Sequence, residues 1–356
     1  MSAPPHRPVR GRGALTNPDN RFSAEARAAV DDGWGSLEAP PGPIATTLER
    51  DTSRTVISRN DSPDVPFDRS VNPYRGCEHG CVYCYARPTH AWLGYSPGLE
   101  FETRLLYKPD APEQLAAELA APGYRPAPLM LGANTDAYQP VERELRLTRR
   151  VLEVLAEARH PLFVVTKSAL VERDLDLLAG LAERNLARVV VSLTTLDPEL
   201  ARRLEPRAAT PARRLETIRR VTAAGVPVSV LAAPVIPVLT DPELERLLAA
   251  ARAAGARHAG YVLLRLPHET RELFDDWLRT HAPLQAEHVL SRIRDSRGGK
   301  AYDADFGTRM RGSGPFADLI RQRFRLAARR LGYTDPEPLA CDLFRRPSPG
   351  GQLGLF

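Results

Sequence analysis

Residues 72–85 read Asn72-Pro73-Tyr74-Arg75-Gly76-Cys77-Glu78-His79-Gly80-Cys81-Val82-Tyr83-Cys84-Tyr85. Three of the four cysteines of the 356-residue chain fall here, spaced Cys-x3-Cys-x2-Cys. Four cysteines in this length do not make a disulfide scaffold, so three thiols in one loop point to a metal or iron–sulfur site. Three thiolates hold three corners of a cubic [4Fe–4S] cluster and leave one iron open, whereas most electron-transfer clusters use four protein ligands. An open position is what a metal centre needs to take a substrate directly. Gly76 and Gly80 let the backbone wrap closely around such a group. Three other readings compete: a zinc site completed by His79 or Cys341, a four-thiolate cluster that recruits Cys341, and a chance group of buried thiols. His79 is close to Cys77 for a tetrahedral set and is expected to face solvent. Cys341 is expected to be a buried structural thiol near the C-terminal segment, with an approach to the active site as the alternative.

Downstream of the loop the chain alternates between short apolar runs and longer helical patterns. The runs Pro128–Leu131, Leu162–Thr166, Arg188–Leu193, Val226–Ala232 and Tyr261–Leu266 read as strands buried on both faces. Between them Val141–Arg159, Val171–Asn185, Ala212–Ala224, Asp241–Ala254 and Arg271–Leu278 read as helices. Gly225 and Gly255 stand where helices end. With one more strand before the cysteines, this predicts an α/β fold: a partial (β/α)6 barrel with a parallel sheet. In barrels of this kind the chemistry gathers at the C-terminal ends of the strands. Residues 1–60 mix Pro, Gly, Ser and charge with little periodicity. They are expected to be a flexible leader with one short helix near Ala24–Asp32. The core is expected over 63–300, a basic helical extension with a helix near Phe316–Leu331 over 301–333, and an extended tail over 334–356.

The loop resembles that of the radical S-adenosylmethionine (SAM) superfamily, in its cysteine spacing and in Tyr83, the aromatic residue before the third cysteine. Over roughly residues 67–300 the pattern is most similar to the spore-photoproduct-lyase-like branch. Asn134-Thr135-Asp136 matches a Thr/Ser-Asp segment after the second strand. Val165-Thr166-Lys167 matches a Val-Thr-Lys whose lysine contacts the SAM carboxylate. Ser192 matches a serine at the SAM ribose, Glu205-Pro206 a Glu-Pro pair, and Ala233-Pro234-Val235-Ile236 the segment that lines the adenine. The resemblance therefore implies a [4Fe–4S] cluster on Cys77, Cys81 and Cys84. It implies SAM contacts at Asn134, Thr135, Lys167, Ser192, Glu205, Ala233 and Val235. It also implies an external electron donor and reductive cleavage of SAM to methionine and a 5′-deoxyadenosyl radical. One position departs from the branch: Ala133 stands where spore photoproduct lyase has a hydrogen-donating cysteine. Tyr83, Tyr85 and Tyr138 are candidate donors in its place.

Composition limits the remaining choices. The chain is 43% hydrophobic and 26% charged, ordinary for a globular protein. No apolar run is long enough for a transmembrane helix, and the Pro- and Arg-rich start lacks a secretory apolar core, so a cytoplasmic location is expected. The net charge of +5 is uneven: residues 291–330 hold eleven Lys/Arg against four Asp. This basic stretch suits a polyanion such as DNA, or equally a solvated helix face. The end, Gln352-Leu353-Gly354-Leu355-Phe356, resembles the peptide by which bacterial polymerases and repair proteins dock on the sliding clamp. Together these features lead to a radical SAM enzyme that repairs or modifies a base in DNA. The alternatives are a protein or small-molecule substrate, or a non-enzymatic iron–sulfur or zinc scaffold on DNA and the clamp.

Overall fold

The computed structural model describes residues 8–23, 42 and 44–347. The expected leader helix near 24–32 and the clamp-like peptide at 352–356 lie outside the described residues. Among them are the strands β1 (Thr47–Arg50), β2 (Ile57–Arg59), β3 (Arg69–Val71), β4 (Tyr74–Arg75), β5 (Arg104–Tyr107), β6 (Leu129–Leu131), β7 (Leu162–Thr166), β8 (Ala187–Leu193), β9 (Val228–Val235) and β10 (His258–Leu263). The large sheet runs β10-β9-β8-β7-β6-β3-β2. All of its pairings are parallel except β2, which runs antiparallel on the edge of β3. Six parallel strands, β3 and β6 to β10, make the expected open barrel. A small sheet of β1, β5 and β4 lies beside it.

The strands form where the sequence is β-branched or aliphatic on both faces. In β8, Val189, Val191 and Leu193 enter the layer beneath the helices, while Val190 and Ser192 alternate to the barrel interior. Helices Leu147–Glu157, Pro211–Ala223 and Leu244–Ala253 cover the outer face, each with a row of buried aliphatic residues. The expected helix over 141–159 is broken at Arg146, which takes a left-handed φ of 50°. Gly225 and Gly255 do end their helices, at φ of 82° and 114°.

Two expectations about the chain ends are corrected. The leader is not free over residues 8–23: Val9, Arg12 and Ala14 are buried, and the backbone N–H groups of Gly13 and Ala14 donate to Glu102 at 3.0 and 2.9 Å. Nor is the helix Gly314–Arg330 an appendage, because Ala317, Ile320 and Ala327 complete the main core. Beyond it the chain, as far as residue 347, is extended and crosses the N-terminal ends of the strands. Thr334, Ala340 and Arg345 donate in turn to carbonyls of Arg257, Asn185 and Ala158. Cys341 lies on this crossing, at the end of the barrel opposite the cysteine loop.

Candidate active site

The cysteine loop leaves the C-terminal end of β3 and folds inward. Cys77 and Cys81 are buried, Cys84 is half-buried, and all are free thiols. Two glycines make the turns, Gly76 at φ 77° and Gly80 at φ 66°. A Cβ on Gly76 would meet the Phe101 carbonyl oxygen at 2.8 Å, so the loop closes only with glycine there. Arg87 fixes the loop from below. Its Nε donates to the Cys81 carbonyl at 2.9 Å, and it forms a fully buried ion pair with Glu102. Glu102 is also the carboxylate that receives Gly13 and Ala14, so one buried pair joins loop, helix and N-terminal segment.

Burial pushes the Cys77 and Cys81 thiols well above their ordinary values; Asp136 adds to the shift at Cys77, and Glu205 to that at Cys81. Buried thiols with no proton acceptor are inert as nucleophiles, but iron displaces their protons outright. The donor set therefore fits an iron–sulfur cluster. Among the described residues no three His, Cys, Asp or Glu groups converge on a single ion position. A cubic cluster asks for no such convergence, because each thiolate binds a different iron. His79, expected in solvent, is buried and faces Asp136 across 3.3 Å. The reason is local: the turn at Gly80 folds His79 beneath the loop. Cys341 is at the far end of the barrel, and among the described residues His79 does not join the cysteines in a group of three about one ion position, so neither completes a zinc site.

Asp136 organises the next strand end. It accepts from the Thr166 hydroxyl and the Lys167 backbone N–H, both at 2.7 Å. Burial alone would raise this carboxyl, but His79 and these donors hold it down at about 2. Lys167 then extends into the barrel, where its Nζ donates to Ser192 Oγ at 3.0 Å. Ser192 in turn donates to the Ala233 carbonyl at 3.2 Å. No carboxylate of the described residues lies within ion-pair distance of Lys167. An ammonium beside a hydroxyl, with no carboxylate in direct contact, fits the carboxylate and ribose of SAM.

The geometry divides the other expected site residues. Asn134 is half-buried at the rim, held through its backbone by the Asn72 side chain at 2.8 Å. Ala233 and Val235 line the end of β9. Thr135 and Glu205 are corrected from ligands to supports. The Thr135 hydroxyl is buried and used on the Tyr74 carbonyl at 2.7 Å. Glu205 lies fully buried beneath the loop, bonded to Tyr83, Arg214 and Thr194. Burial would raise Glu205, yet Arg214 and Lys167 keep it at about 2. Tyr83 thus has its hydroxyl committed to Glu205. Tyr138 is also corrected: its side chain is in the layer between sheet and helices, donating to Asp174 at 3.0 Å, on the wrong face of the sheet to meet a substrate. Tyr85 is 42% exposed at the mouth, and its hydroxyl donates to the carbonyl of Ala133. The Arg265 guanidinium sits over the Tyr85 ring at 4.5 Å. Sequence reasoning missed Arg265 and Arg214 and quoted Asp136 in its matched segment without giving it a role, because nothing local marks an arginine or aspartate at one strand end as the partner of another.

Comparison with known proteins agrees with this arrangement. The profile of the Radical SAM superfamily matches residues 71–251. An uncharacterised Mycobacterium tuberculosis protein, Rv2578c, is 41% identical over 233 residues, which are 65% of this chain and 67% of that one. An uncharacterised protein of Methanocaldococcus jannaschii, MJ0683, is 27% identical over 173 residues, covering 49% of this chain and 62% of its own. Among solved structures, spore photoproduct lyase complexed with dinucleoside spore photoproduct superposes with a TM-score of 0.58 over 80% of each chain, at 16% identity. That similarity concerns the fold.

Proposed function

This chain belongs to the radical SAM superfamily, whose enzymes use a [4Fe–4S] cluster and SAM, and from that premise we propose that it acts on a base in DNA, to repair or modify it. When bound, cluster and SAM supply a one-electron reductive cleavage that yields methionine and a carbon radical able to abstract hydrogen. Cys77, Cys81 and Cys84 would hold the cluster, and Lys167 and Ser192 would hold the carboxylate and ribose of SAM. The observation that carries the substrate class is Arg265. No carboxylate of the described residues pairs with it, it stands at the mouth over Tyr85, and a phosphodiester is the anion a planar guanidinium there would take. Tyr85 is placed beside Ala133, the position without a cysteine, and its O–H can return a hydrogen atom to a substrate radical. Tyr83 and Tyr138 have no such access. Membership of an enzyme superfamily stands against the scaffold reading, and Lys167, with no direct ion pair among the described residues, is placed to meet a bound ligand.

The test uses protein reconstituted anaerobically with iron and sulfide and reduced with dithionite. Formation of 5′-deoxyadenosine from SAM is expected, raised several-fold by damaged DNA, and absent in Cys84→Ala. Stimulation by a peptide or metabolite but not by DNA would instead establish the protein or small-molecule reading. We further propose that Gln352, Leu353, Leu355 and Phe356 dock on the sliding clamp, two or three apolar anchors with one directional amide. A fluorescent peptide of the last ten residues should bind the clamp and lose binding on Phe356→Ala; no affinity would end that proposal.

A further inference from the structure

We propose that a groove on the outer wall of the barrel, between β10 and the helix Gly314–Arg330, binds the phosphodiester backbone of a nucleic-acid strand. Tyr261 and Phe324 form its floor and Arg311, Arg321 and Arg325 its walls, with Asp335 at one side. The groove is apart from the active site. Tyr261 points from β10 into the layer beneath the helices, packed in the same core as Ala317 and Ile320, whereas the cysteine loop and Lys167 lie at the strand ends and in the interior.

Two observations point to an anionic ligand. The first is charge. Arg321 is paired with Asp318 at 2.6 Å, but Arg311 and Arg325 are exposed and face no carboxylate within ion-pair distance among the described residues. The second is Tyr261 itself, 2% exposed, with a hydroxyl that has no hydrogen-bond partner. Its ring is held between the Arg311 guanidinium at 4.2 Å and the Phe324 ring at 4.8 Å. A buried phenol normally finds a partner. A phosphate oxygen drawn in by Arg311 and Arg325 would be one, with both guanidiniums matched to it as bidentate donors.

The polymer, rather than a lone phosphate, is favoured by the helix. Arg321, Arg325 and Arg329 recur every four residues and so share one face. Arg325 and Arg329, the two of these without a carboxylate partner among the described residues, continue the cationic face past the groove, as a surface that tracks a strand without reading its sequence does. This extends the nucleic-acid reading of the active site to a second contact region and rests on it only for the kind of polymer.

The test is fluorescence anisotropy of labelled oligothymidylate with the full-length, cluster-loaded protein over a range of salt. Arg311→Gln with Arg325→Gln should weaken binding about tenfold and reduce the salt slope by about 1.4, two phosphate contacts on a single strand. Tyr261→Phe should weaken binding a few-fold at unchanged salt slope while leaving or raising thermal stability. A Tyr261 that served only packing would change neither. Unchanged affinity and slope in the double variant would overturn the proposal. If wild type binds no oligonucleotide, the proposal also falls. Inorganic phosphate that stabilises wild type but not the double variant would then assign the groove to a small phosphate ester. Loss of DNA-stimulated SAM cleavage in a wild-type protein that still binds DNA through the groove would sink the active-site reading and leave this one standing.

Discussion

Lysine rarely sits half-buried without a carboxylate beside it, and Lys167 does so next to Ser192. Its charge acts on the buried Glu205 from a distance, and its hydrogen-bonding capacity beyond Ser192 is available to a ligand. Lys167→Ala should therefore weaken SAM binding by at least tenfold, the range of about 1.5–3 kcal/mol for a hydrogen bond to a charged group, with unchanged iron content. Equilibrium dialysis with SAM measures it, and Lys167→Arg should not restore it, because a planar fork does not replace a point charge against Ser192. Asp136 and Glu205 make the opposite case, charges used by the fold. Each is held at about 2, below the ordinary carboxylate range. A depressed folded-state value contributes stability that is complete above the unfolded value and is lost as pH falls through the folded one. The thermal midpoint of the protein should thus fall between about pH 4.5 and pH 2. Asp136→Asn should lose on the order of 2 kcal/mol at neutral pH and flatten that fall. A pH profile identical to wild type would show that the His79–Asp136 pair does not stabilise the fold.

At the level of elements, what was legible in the sequence follows from periodicity. Leu162–Thr166 was expected as β7 with both ends correct, since a β-branched run bounded by Pro161 and Lys167 admits little else. The last strand was displaced by three residues, to His258–Leu263, because Leu264 and Leu266 are buried in a second core that the apolar pattern cannot distinguish from the sheet. Helices Pro198–Leu204 and Ala286–Asp295 were missed, each short and interleaved with charge. The N-terminal segment was illegible for a different reason. It is held by backbone N–H groups that reach Glu102 some ninety residues away, and no local pattern encodes such a contact. Its fit is nevertheless exacting: a Cβ on Gly13 would overlap the Gly80 carbonyl oxygen in the turn between Cys77 and Cys81. Gly13→Ala should lift this segment from the loop. The cluster absorbance should then bleach several-fold faster in air, with little loss of secondary structure by circular dichroism. Equal bleaching rates would mean that the segment does not shield the loop.

Across the whole molecule, the question is how much of the basic stretch at 291–330 remains free once the chain is folded. Arg297 is a buried strut, donating to the carbonyls of Leu263 and Leu264 at the end of β10. Arg309 is bound to Asp64 at 2.6 Å, and Arg323 to Glu245 at 2.7 Å. These three are committed to the fold, and Arg292 and Arg321 each have an aspartate three residues away. The charges left for a polyanion are Arg294, Lys300, Arg311, Arg325, Arg329 and Arg330, with Arg265 at the mouth. A count of sequence charge would overstate the electrostatics, because folding neutralises much of it. If about four of these reach phosphates at once, the slope of log affinity against log salt on single-stranded DNA should be close to −2.8, so that affinity falls on the order of fifty-fold between 50 and 200 mM salt. A slope near −7 would require the paired arginines to abandon their carboxylates on binding. A slope near zero would mean that the surplus positive charge serves solubility alone, and that a substrate at the mouth beside Tyr85 is recognised without its backbone.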